Sequence, residues 1–360
     1  MEKIRVLVVD DSLVIRRALR ECFRADPEIE VVGVAEDGVK ALKQIDLLKP
    51  DIITLDIEMP EMDGLEALKV IRAQGSTIPI IMFSKYTSEG ATATLEALEL
   101  GASDVVAKPE AHGGKGSSCE VVKRQLTSRI RALGRSARRI RHARTQPGQH
   151  QTKDAETGKF SVPRPIDAVA LAISTGGPSA LIEVVSGLQP DLPLPIFITQ
   201  HMPPMFTKFL AERLTARGAL KAFEAEDGML VEPGRIYIAP GNFHLEAARG
   251  DSQIQLRLSQ APHENSCRPS ADVMFRSLAT VYGSRLLGIV MTGMGQDGKR
   301  GAETIKSHGG IIVAQDEASS LVWGMPRAII SAELHDGIVS LAEVSRLINE
   351  SASKGRKENK

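Results

Sequence analysis

Leu286–Gly298 reads LLGIVMTGMGQDG, and this stretch decides how the second half of the chain is interpreted. Its first part, Leu286–Met291, is apolar with β-branched residues, which is typical of a buried parallel strand. A glycine-rich turn follows at once, and a helical pattern then runs over residues 299–307. In open α/β sheets, ligands bind at the carboxyl ends of strands. Asp297 therefore lies where the sequence predicts a functional site.

Two predicted strands upstream also end in reactive residues. One starts at Ile166 and ends at Ser174, and Pro195–Gln200 is followed directly by His201. The turn after Ser174 is similar to the nucleophile elbow Gly-x-Ser-x-Gly, with alanine in the first place. Singly, the serine could be a helix N-cap and the histidine a structural residue. Together, a hydroxyl, an imidazole and a carboxylate at three strand ends indicate a nucleophilic hydrolase.

The glycine-rich turn also supports a second interpretation, a dinucleotide site. Gly293-x-Gly295-x-x-Gly298 follows a strand, and Asp316 ends the next strand about 20 residues on, as in the dinucleotide fingerprint. That fingerprint normally opens its domain, whereas several elements precede it here. It also leaves Ser174 and His201 without a role. Bound nicotinamide nucleotide would favour a dehydrogenase, and serine-directed inactivation would favour the hydrolase.

Length and composition bound the remaining possibilities. The 360 residues suffice for two domains, and the net charge of zero gives no argument for nucleic-acid or membrane binding. The cysteines, Cys22, Cys119 and Cys267, are scattered, which suits a reducing compartment and not a disulfide framework or a zinc site. No signal-peptide pattern or membrane-spanning apolar run is present. We expect a cytoplasmic monomer that neither inserts into a membrane nor binds nucleic acid.

The first half of the chain alternates strand and helix patterns, which predicts a doubly wound parallel sheet. Asp10, Asp11 and Asp56 fall at strand ends, as do Ser84 and Lys108. Converging carboxylates repel one another unless a divalent cation such as Mg²⁺ lies among them. One carboxylate could then attack a phosphoryl donor and become an aspartyl phosphate. The alternative is that acidic residues merely occupy helix N-termini, where the helix dipole favours them.

Residues 1–120 resemble a response-regulator receiver domain, which has a flavodoxin-like fold. The resemblance implies that Asp56 is the phosphoacceptor, with Ser84 and Lys108 as switch residues. It also implies a Mg²⁺ site formed by Asp10, Asp11, Asp56 and the backbone carbonyl of Glu58. Val105 stands where this family usually has an aromatic switch residue. We therefore expect the switch to run mainly through Ser84 and the backbone around it.

The composition changes after Glu110. A helical pattern over 121–133 is followed by Arg135, Arg138, Arg139, Arg141 and Arg144, and then by a polar stretch to Pro165. A basic interdomain linker is favoured over a nucleic-acid arm because no helix-turn-helix pattern or aromatic interleaving accompanies the arginines. We therefore divide the chain into a receiver (1–120), the end of its last helix with a linker (121–165), a second domain (166–350) and a polar tail (351–360).

Residues 166–350 resemble the chemotaxis protein-glutamate methylesterase domain. The motifs that carry the resemblance are Ser174–Pro178, Gln200–Pro203, Arg268-Pro269-Ser270 with Asp272, and Thr292–Gly295 with Asp297-Gly298. The chain order serine, histidine, aspartate also matches this family. The expected fold is a Rossmann-like parallel sheet, to which alternating residues around Gly250 add a β-hairpin.

The resemblance further implies roles and partners. Ser174 would be the nucleophile, His201 the base and Asp297 its orienter, while the Met294 N–H helps form the oxyanion hole and the Thr175 hydroxyl supports the site. Arg268 is a candidate substrate contact. The implied substrates are glutamate γ-methyl esters on chemoreceptors, releasing methanol, and selected receptor glutamines, which are deamidated. Hydrolysis would need no cofactor, a histidine kinase would be the phosphodonor, and the unphosphorylated receiver would cover the esterase site.

Overall fold

The computed structural model describes residues 2–84, 87–108, 126–139, 160–250 and 253–357. The chain divides into two compact units, Met1–Thr152 and Lys153–Lys360. Much of the expected linker, including Arg141 and Arg144, lies outside the described residues, as do Pro109 and Cys119. None of the helices in the described part combines the length and apolar character that crossing a membrane requires.

The first unit is a parallel α/β sheet, as the alternating pattern predicts. Its described strands are ordered β2-β1-β3-β4-β5. The elements are β1 Ile4–Val9, α1 Leu13–Arg24, β2 Ile29–Ala35, α2 Gly38–Leu48, β3 Ile52–Asp56, α3 Gly64–Ala73, β4 Ile80–Ser84, α4 Ser88–Glu99, β5 Asp104–Ala107 and α5 over residues 126–139. Because β1 and β3 are neighbours, Asp10 and Asp56 meet at one edge of the sheet.

Helix α5 carries three of the arginines that the sequence pattern placed in a basic linker, Arg135, Arg138 and Arg139. Arg138 pairs with the buried carboxylate of Asp51 at 2.7 Å, and Arg135 pairs with Glu28. Arg131, one turn earlier, pairs with Asp26 at 2.6 Å. The acidic partners lie far away in sequence, so a local charge pattern could not reveal them. These arginines therefore belong to the first unit.

The second unit contains a longer parallel sheet and a separate hairpin. Its described strands are ordered β14-β13-β12-β6-β7-β9-β8, and β10 pairs with β11 in antiparallel fashion. The elements are β6 Ala168–Ile173, α6 Gly177–Ser186, β7 Ile196–Gln200, α7 Phe206–Arg217, β8 Lys221–Glu224, β9 Arg235–Ile238, β10 His244–Arg249, β11 Ile254–Ser259, α8 Ala271–Tyr282, β12 Leu286–Val290, α9 Lys299–Ser307, β13 Ile311–Gln315, α10 Gly324–Ser331, β14 Gly337–Val339 and α11 Leu341–Lys357.

The strand order reverses next to β6. From β6 the chain moves to β7 on one side and later returns to β12 on the other. This is the switch point at which open α/β sheets form a crevice for ligands. The central strands β6, β7 and β12 are buried along their whole length. The site residues at their ends therefore rest on a rigid core.

Three features differ from the sequence prediction. The short strands β8 and β14 were not predicted, because each is brief and pairs only with one neighbour at the edge of the sheet. Helix α11 continues to Lys357, into what the sequence pattern suggests is a frayed polar tail. The length and polarity of a sequence segment therefore do not predict the edge strands of this sheet or the end of the last helix.

Candidate active site

The three predicted reactive residues follow strands that are neighbours in the sheet. Ile173 at the end of β6 pairs with Gln200 at the end of β7, so Ser174 and His201 are the next residues on adjacent strands. On the other side of β6, Val290 of β12 pairs with Ala172, and the turn after β12 carries Asp297. The topology thus brings hydroxyl, imidazole and carboxylate to one crevice.

Backbone hydrogen bonds hold Ser174 in a tight strand-to-helix turn. Its N–H donates to the Thr292 carbonyl at 3.0 Å, and its own carbonyl accepts from Gly177 N at 2.7 Å and Gln200 Nε2 at 3.0 Å. A Cβ at position 177 would lie 1.9 Å from Gln200 Oε1, which explains why glycine is needed there. The serine is thereby fixed at the start of α6, where helix N–H groups favour negative charge.

His201 is oriented by Asp297. The His201 Nε2 atom lies 2.7 Å from Asp297 Oδ2, and its Nδ1 lies 3.8 Å from Cys267 Sγ. Within the described part of the chain, no hydrogen bond joins Ser174 to His201. Catalytic hydrogen bonds often tighten only when substrate binds. Nε2 is engaged by the carboxylate, so Nδ1, with its longer contact to Cys267, is the nitrogen that could exchange a proton.

Asp297 is buried and accepts hydrogen bonds from the start of α8. Its donors there are Ser270 Oγ at 2.6 Å, Ala271 N at 2.6 Å and Asp272 N at 3.2 Å. Burial raises the pKa of Asp297, whereas the hydrogen bonds from His201, Ser270 and Ala271 lower it. The lowering is the larger effect, so the net shift is downward. Asp297 therefore stays ionised.

The carboxylate has the opposite effect on the histidine. Burial lowers the pKa of His201, but the hydrogen bond and charge of Asp297, together with Cys267, raise it, and the net shift is upward from 6.5. A raised pKa stabilises the imidazolium that forms when the histidine accepts a proton. The same pair also means that His201 is neutral, and able to accept a proton, only at higher pH.

The glycine-rich turn lies against the serine. A Cβ at Gly293 would be 2.9 Å from the Ser174 Cβ, and the Gly293 carbonyl accepts from the N–H groups of Gly324 and Met325. Among the described residues, no hydrogen bond uses the Met294 N–H. Thr292 Oγ1 donates to the Thr175 carbonyl at 2.9 Å. The turn is therefore fixed around Ser174, and the Met294 N–H is available there as a hydrogen-bond donor.

The dinucleotide interpretation finds little support in this arrangement. Asp316, its candidate ribose ligand, accepts from Ser319 N at 2.9 Å and so shapes the loop after β13. Asp297, inside the fingerprint, is committed to His201 and α8. Of the three fingerprint glycines, Gly293 packs closely against Ser174.

The Arg268 guanidinium donates hydrogen bonds to its own loop and to Asn242. Its Nη1 donates to the carbonyls of Gln260 and Ala261 at 2.8 and 3.0 Å. Nε and Nη2 both donate to Asn242 Oδ1. The guanidinium could contact a substrate only while sharing these acceptors.

The first unit contains the predicted acidic cluster. Ligand oxygens of Asp10, Asp11 and Asp56 lie within 4.8 Å of one another, and Lys108 Nζ lies 2.5 Å from Asp56 Oδ2 and 2.9 Å from Asp10 Oδ2. Burial raises the pKa of Asp56, and the charges of Asp10 and Asp11 raise it too, while Lys108 lowers it. The resulting pKa is about 6. The three hard oxygen donors suit Mg²⁺.

The other predicted receiver residues are placed as follows. The Ser84 hydroxyl, at the end of β4, donates to the Gly90 carbonyl of α4 at 3.2 Å. The Glu58 N–H donates to Asp56 Oδ1 at 3.4 Å. Val105 pairs with Met82 across β4 and β5 and is partly exposed. Ser84 is thus linked to α4 directly, without an aromatic side chain.

Sequence reasoning gave no role to several residues that support the site. Gln200 and Ser270 fall inside the quoted motifs, but their hydrogen bonds to Ser174 and Asp297 appear only in the structure. Asn265 was not singled out, yet its side chain contacts Asp297. An asparagine in a short polar segment between two elements is a turn signal, though not one that indicates a catalytic neighbour.

Known proteins resemble the chain over nearly its whole length. The CheB methylesterase family matches residues 169–348, and the response regulator receiver domain family matches residues 6–113. A protein-glutamate methylesterase/protein-glutamine glutaminase from Trichodesmium erythraeum is 42% identical over 349 residues, 97% of this chain and 99% of the relative. One from Nocardioides sp. is 45% identical over 349 residues, covering 96% and 94%. The crystal structure of the Thermotoga maritima CheB methylesterase catalytic domain shares 37% identity with a TM-score of 0.51, covering 51% of this chain and 98% of that one.

Proposed function

Because the chain belongs to the CheB methylesterase family and carries a response regulator receiver domain, we propose that it demethylates glutamate γ-methyl esters on chemoreceptors. It also deamidates selected receptor glutamines, and phosphorylation of its receiver activates it. Together these reactions give adaptation in two-component chemotaxis signalling. The observation that carries the proposal is the 2.7 Å contact between His201 and Asp297 beside Ser174 at the switch point.

In the first half of the reaction, Ser174 Oγ attacks the ester carbonyl carbon. Its proton passes to His201 Nδ1, since Nε2 is engaged by Asp297. The carbonyl π electrons move to oxygen, giving a tetrahedral oxyanion. When this intermediate collapses, the C–O bond to the methoxy group breaks and His201 returns the proton to methanol. The product is a glutamyl ester of Ser174.

In the second half, water replaces methanol. His201 takes a proton from water as its oxygen attacks the acyl carbon, and the bond to Ser174 Oγ then breaks with return of that proton. A free glutamate side chain leaves. A glutamine follows the same path with ammonia as leaving group, because the attacked carbon has the same position.

The Met294 N–H is the proposed oxyanion donor. Its freedom from other hydrogen bonds among the described residues, and the packing of Gly293 on Ser174, support this role. The start of α6 contributes its positive dipole end. The Thr175 hydroxyl is the proposed support of the site, and the Thr175 carbonyl accepts from Thr292 Oγ1. Arg268 remains a candidate substrate contact. The hydrolysis as written involves no cofactor.

Asp56 is the proposed phosphoacceptor, with a histidine kinase as donor. Asp10, Asp11, Asp56 and the Glu58 carbonyl would hold Mg²⁺, which neutralises charge between the carboxylates and the incoming phosphoryl group. Lys108 already contacts Asp56 and Asp10. Ser84 can carry the change to α4 through Gly90. We place both reactions in the cytoplasm. We assign them to the monomer, because each site is built within one unit.

The raised pKa of Asp56 gives a prediction for the receiver. Without metal, the Asp56 carboxyl should titrate near pH 6, well above its ordinary 3.8. Added Mg²⁺ should move that midpoint to lower pH, because a cation favours the carboxylate. Carboxyl NMR of the full chain, with Asp56→Asn to assign the signal, measures both. A metal-free midpoint near 3.8, or no response to Mg²⁺, would contradict the proposed site.

The hydrolase and the dinucleotide alternative are separated by a labelling experiment. A serine-directed phosphonate should attach to Ser174, and Asp297→Asn should slow the labelling because the base loses its orienter. Intact-mass and peptide analysis locates the adduct, and Ser179→Ala, on the exposed side of α6, is the control. Absence of labelling together with bound nicotinamide nucleotide in the purified protein would favour the alternative.

A further inference from the structure

A four-residue turn, Glu264–Cys267, brings an amide side chain to the carboxylate behind His201. Backbone hydrogen bonds of 3.1 and 2.8 Å pair Glu264 with Cys267 across the turn. The central residues, Asn265 and Ser266, have φ angles of 51° and 62°. Positive φ at both central positions defines a type I′ turn, in which asparagine is favoured at the first. The turn therefore accepts Asn265 without strain on its backbone.

The Asn265 side chain lies between two buried carboxylates. Its Nδ2 is 2.7 Å from Asp272 Oδ2 and 2.9 Å from Asp297 Oδ1. An amide nitrogen carries two hydrogens, so it can donate one to each acid. Asp272 and Asp297 are 1% and 2% exposed, so water cannot readily take over this role. Without a donor between them, the two acids would repel one another.

An ion pair on one side and a backbone hydrogen bond on the other fix this arrangement. Arg276 of α8 donates to both Glu264 oxygens, at 2.8 and 2.6 Å, and so fixes the turn. Asp272 Oδ1 accepts from the Gly301 N–H of α9 at 2.7 Å, which fixes the other carboxylate. The position of the Asn265 amide therefore follows from the packing of α8 and α9.

We propose that Asn265 is a positioning residue of the hydrolase, which holds Asp297 so that Oδ2 faces His201. This inference rests on the proposed function, since it acts only through His201. Oδ2 receives His201 and Ala271 N, while Oδ1 receives Asn265, Ser270 and Asp272 N. Ser270, Ala271 and Asp272 all belong to α8 or its N-cap. Among these donors, only Asn265 and His201 reach Asp297 from elsewhere in the chain. It therefore limits rotation of the carboxylate away from the base.

The electrostatics of the two acids agree with this role. Burial and the nearby charge of Asp297 raise the pKa of Asp272, whereas the pKa of Asp297 is lowered by its hydrogen bonds. Asp297 thus keeps the charge that orients His201. The other titratable or charged groups around the pair are Glu264, Cys267, Arg276, Arg300 and, against Ser270 N, His244.

Two variants of full-length protein test the proposal. Asn265→Gly keeps a residue that tolerates positive φ and removes the amide, while Asn265→Asp keeps the size and replaces the donor by a carboxyl group. Methanol release from methylated receptor membranes is measured with phosphodonor across pH. Glu333→Gly, at an exposed left-handed position (φ 54°) in the same unit, is the matched control.

We expect Asn265→Gly to lower kcat about 10- to 100-fold with KM within about twofold, and Asn265→Asp to lower it more. The acid limb of kcat/KM should move to lower pH in Asn265→Gly, because a carboxylate that rotates away from His201 raises its pKa less. It should move to higher pH in Asn265→Asp, because added negative charge favours the imidazolium. Glu333→Gly should match wild type. Wild-type kcat and an unmoved acid limb in a folded Asn265→Gly or Asn265→Asp protein would overturn the inference alone. If wild-type protein released no methanol, the proposed function itself would fail.

Discussion

Replacement of Ser174 by alanine is expected to abolish methanol release, lowering kcat by at least about 10⁴-fold. The reason is that the acyl-enzyme path needs the Ser174 oxygen as the atom that attacks the ester carbonyl. The fold should persist, because Ser174 is held through backbone groups that alanine also has. Rates on methylated receptor membranes and thermal unfolding of both proteins measure the two expectations.

Ser179→Ala is the control for this experiment, since Ser179 lies on the exposed side of the helix that follows. It should retain wild-type activity. A Ser174→Ala protein that keeps more than about a tenth of the wild-type rate would show that another group is the nucleophile.

Asp297→Asn is expected to lower kcat about 10³- to 10⁴-fold, because an amide of the same shape cannot fix the imidazole as the carboxylate does. The pKa of His201 should fall, since the hydrogen bond and charge of the carboxylate help to raise it. The neutral base then persists to lower pH, and the acid limb of the residual kcat/KM should move down. Rate measurements from acid to neutral pH test both changes.

The same variant tests whether the three residues act together. Adding Asp297→Asn to Ser174→Ala should cause little further loss, because removals within a catalytic triad are strongly non-additive. Asp316→Asn, which changes the acid required by the dinucleotide alternative, should leave activity near wild type. Independent multiplicative losses at Ser174 and Asp297 would argue against a shared mechanism.

The strand-end residues could be predicted because parallel topology places strand ends together. Apolar runs ending at Ser174, His201 and the turn before Asp297 were enough to indicate one crevice, and the same rule placed Asp10 with Asp56. The family comparisons confirm the two α/β domains and the esterase assignment. The roles of the individual site residues stay predictions until they are measured.

Other parts of the site could not be predicted, because they depend on contacts between distant segments. Asn265 precedes Asp297 by a separation of 32 residues, and nothing in its local sequence indicates a carboxylate partner. Arg138 and Asp51 are separated by 87 residues, so the arginine reads locally as part of a basic linker. Short edge strands such as β14 have too few residues for a periodic pattern to emerge.

The central claim is that Ser174 hydrolyses receptor glutamyl methyl esters under the control of Asp56. The most direct measurement is methanol release from methylated receptor membranes by wild-type protein, Asp56→Ala and Ser174→Ala, each with Mg²⁺ and with or without a small phosphodonor. We predict that phosphodonor accelerates the wild type, leaves Asp56→Ala at its basal rate, and has no effect on an inactive Ser174→Ala. Failure of the wild type to release methanol in either condition, or equal acceleration of wild type and Asp56→Ala, would contradict the account.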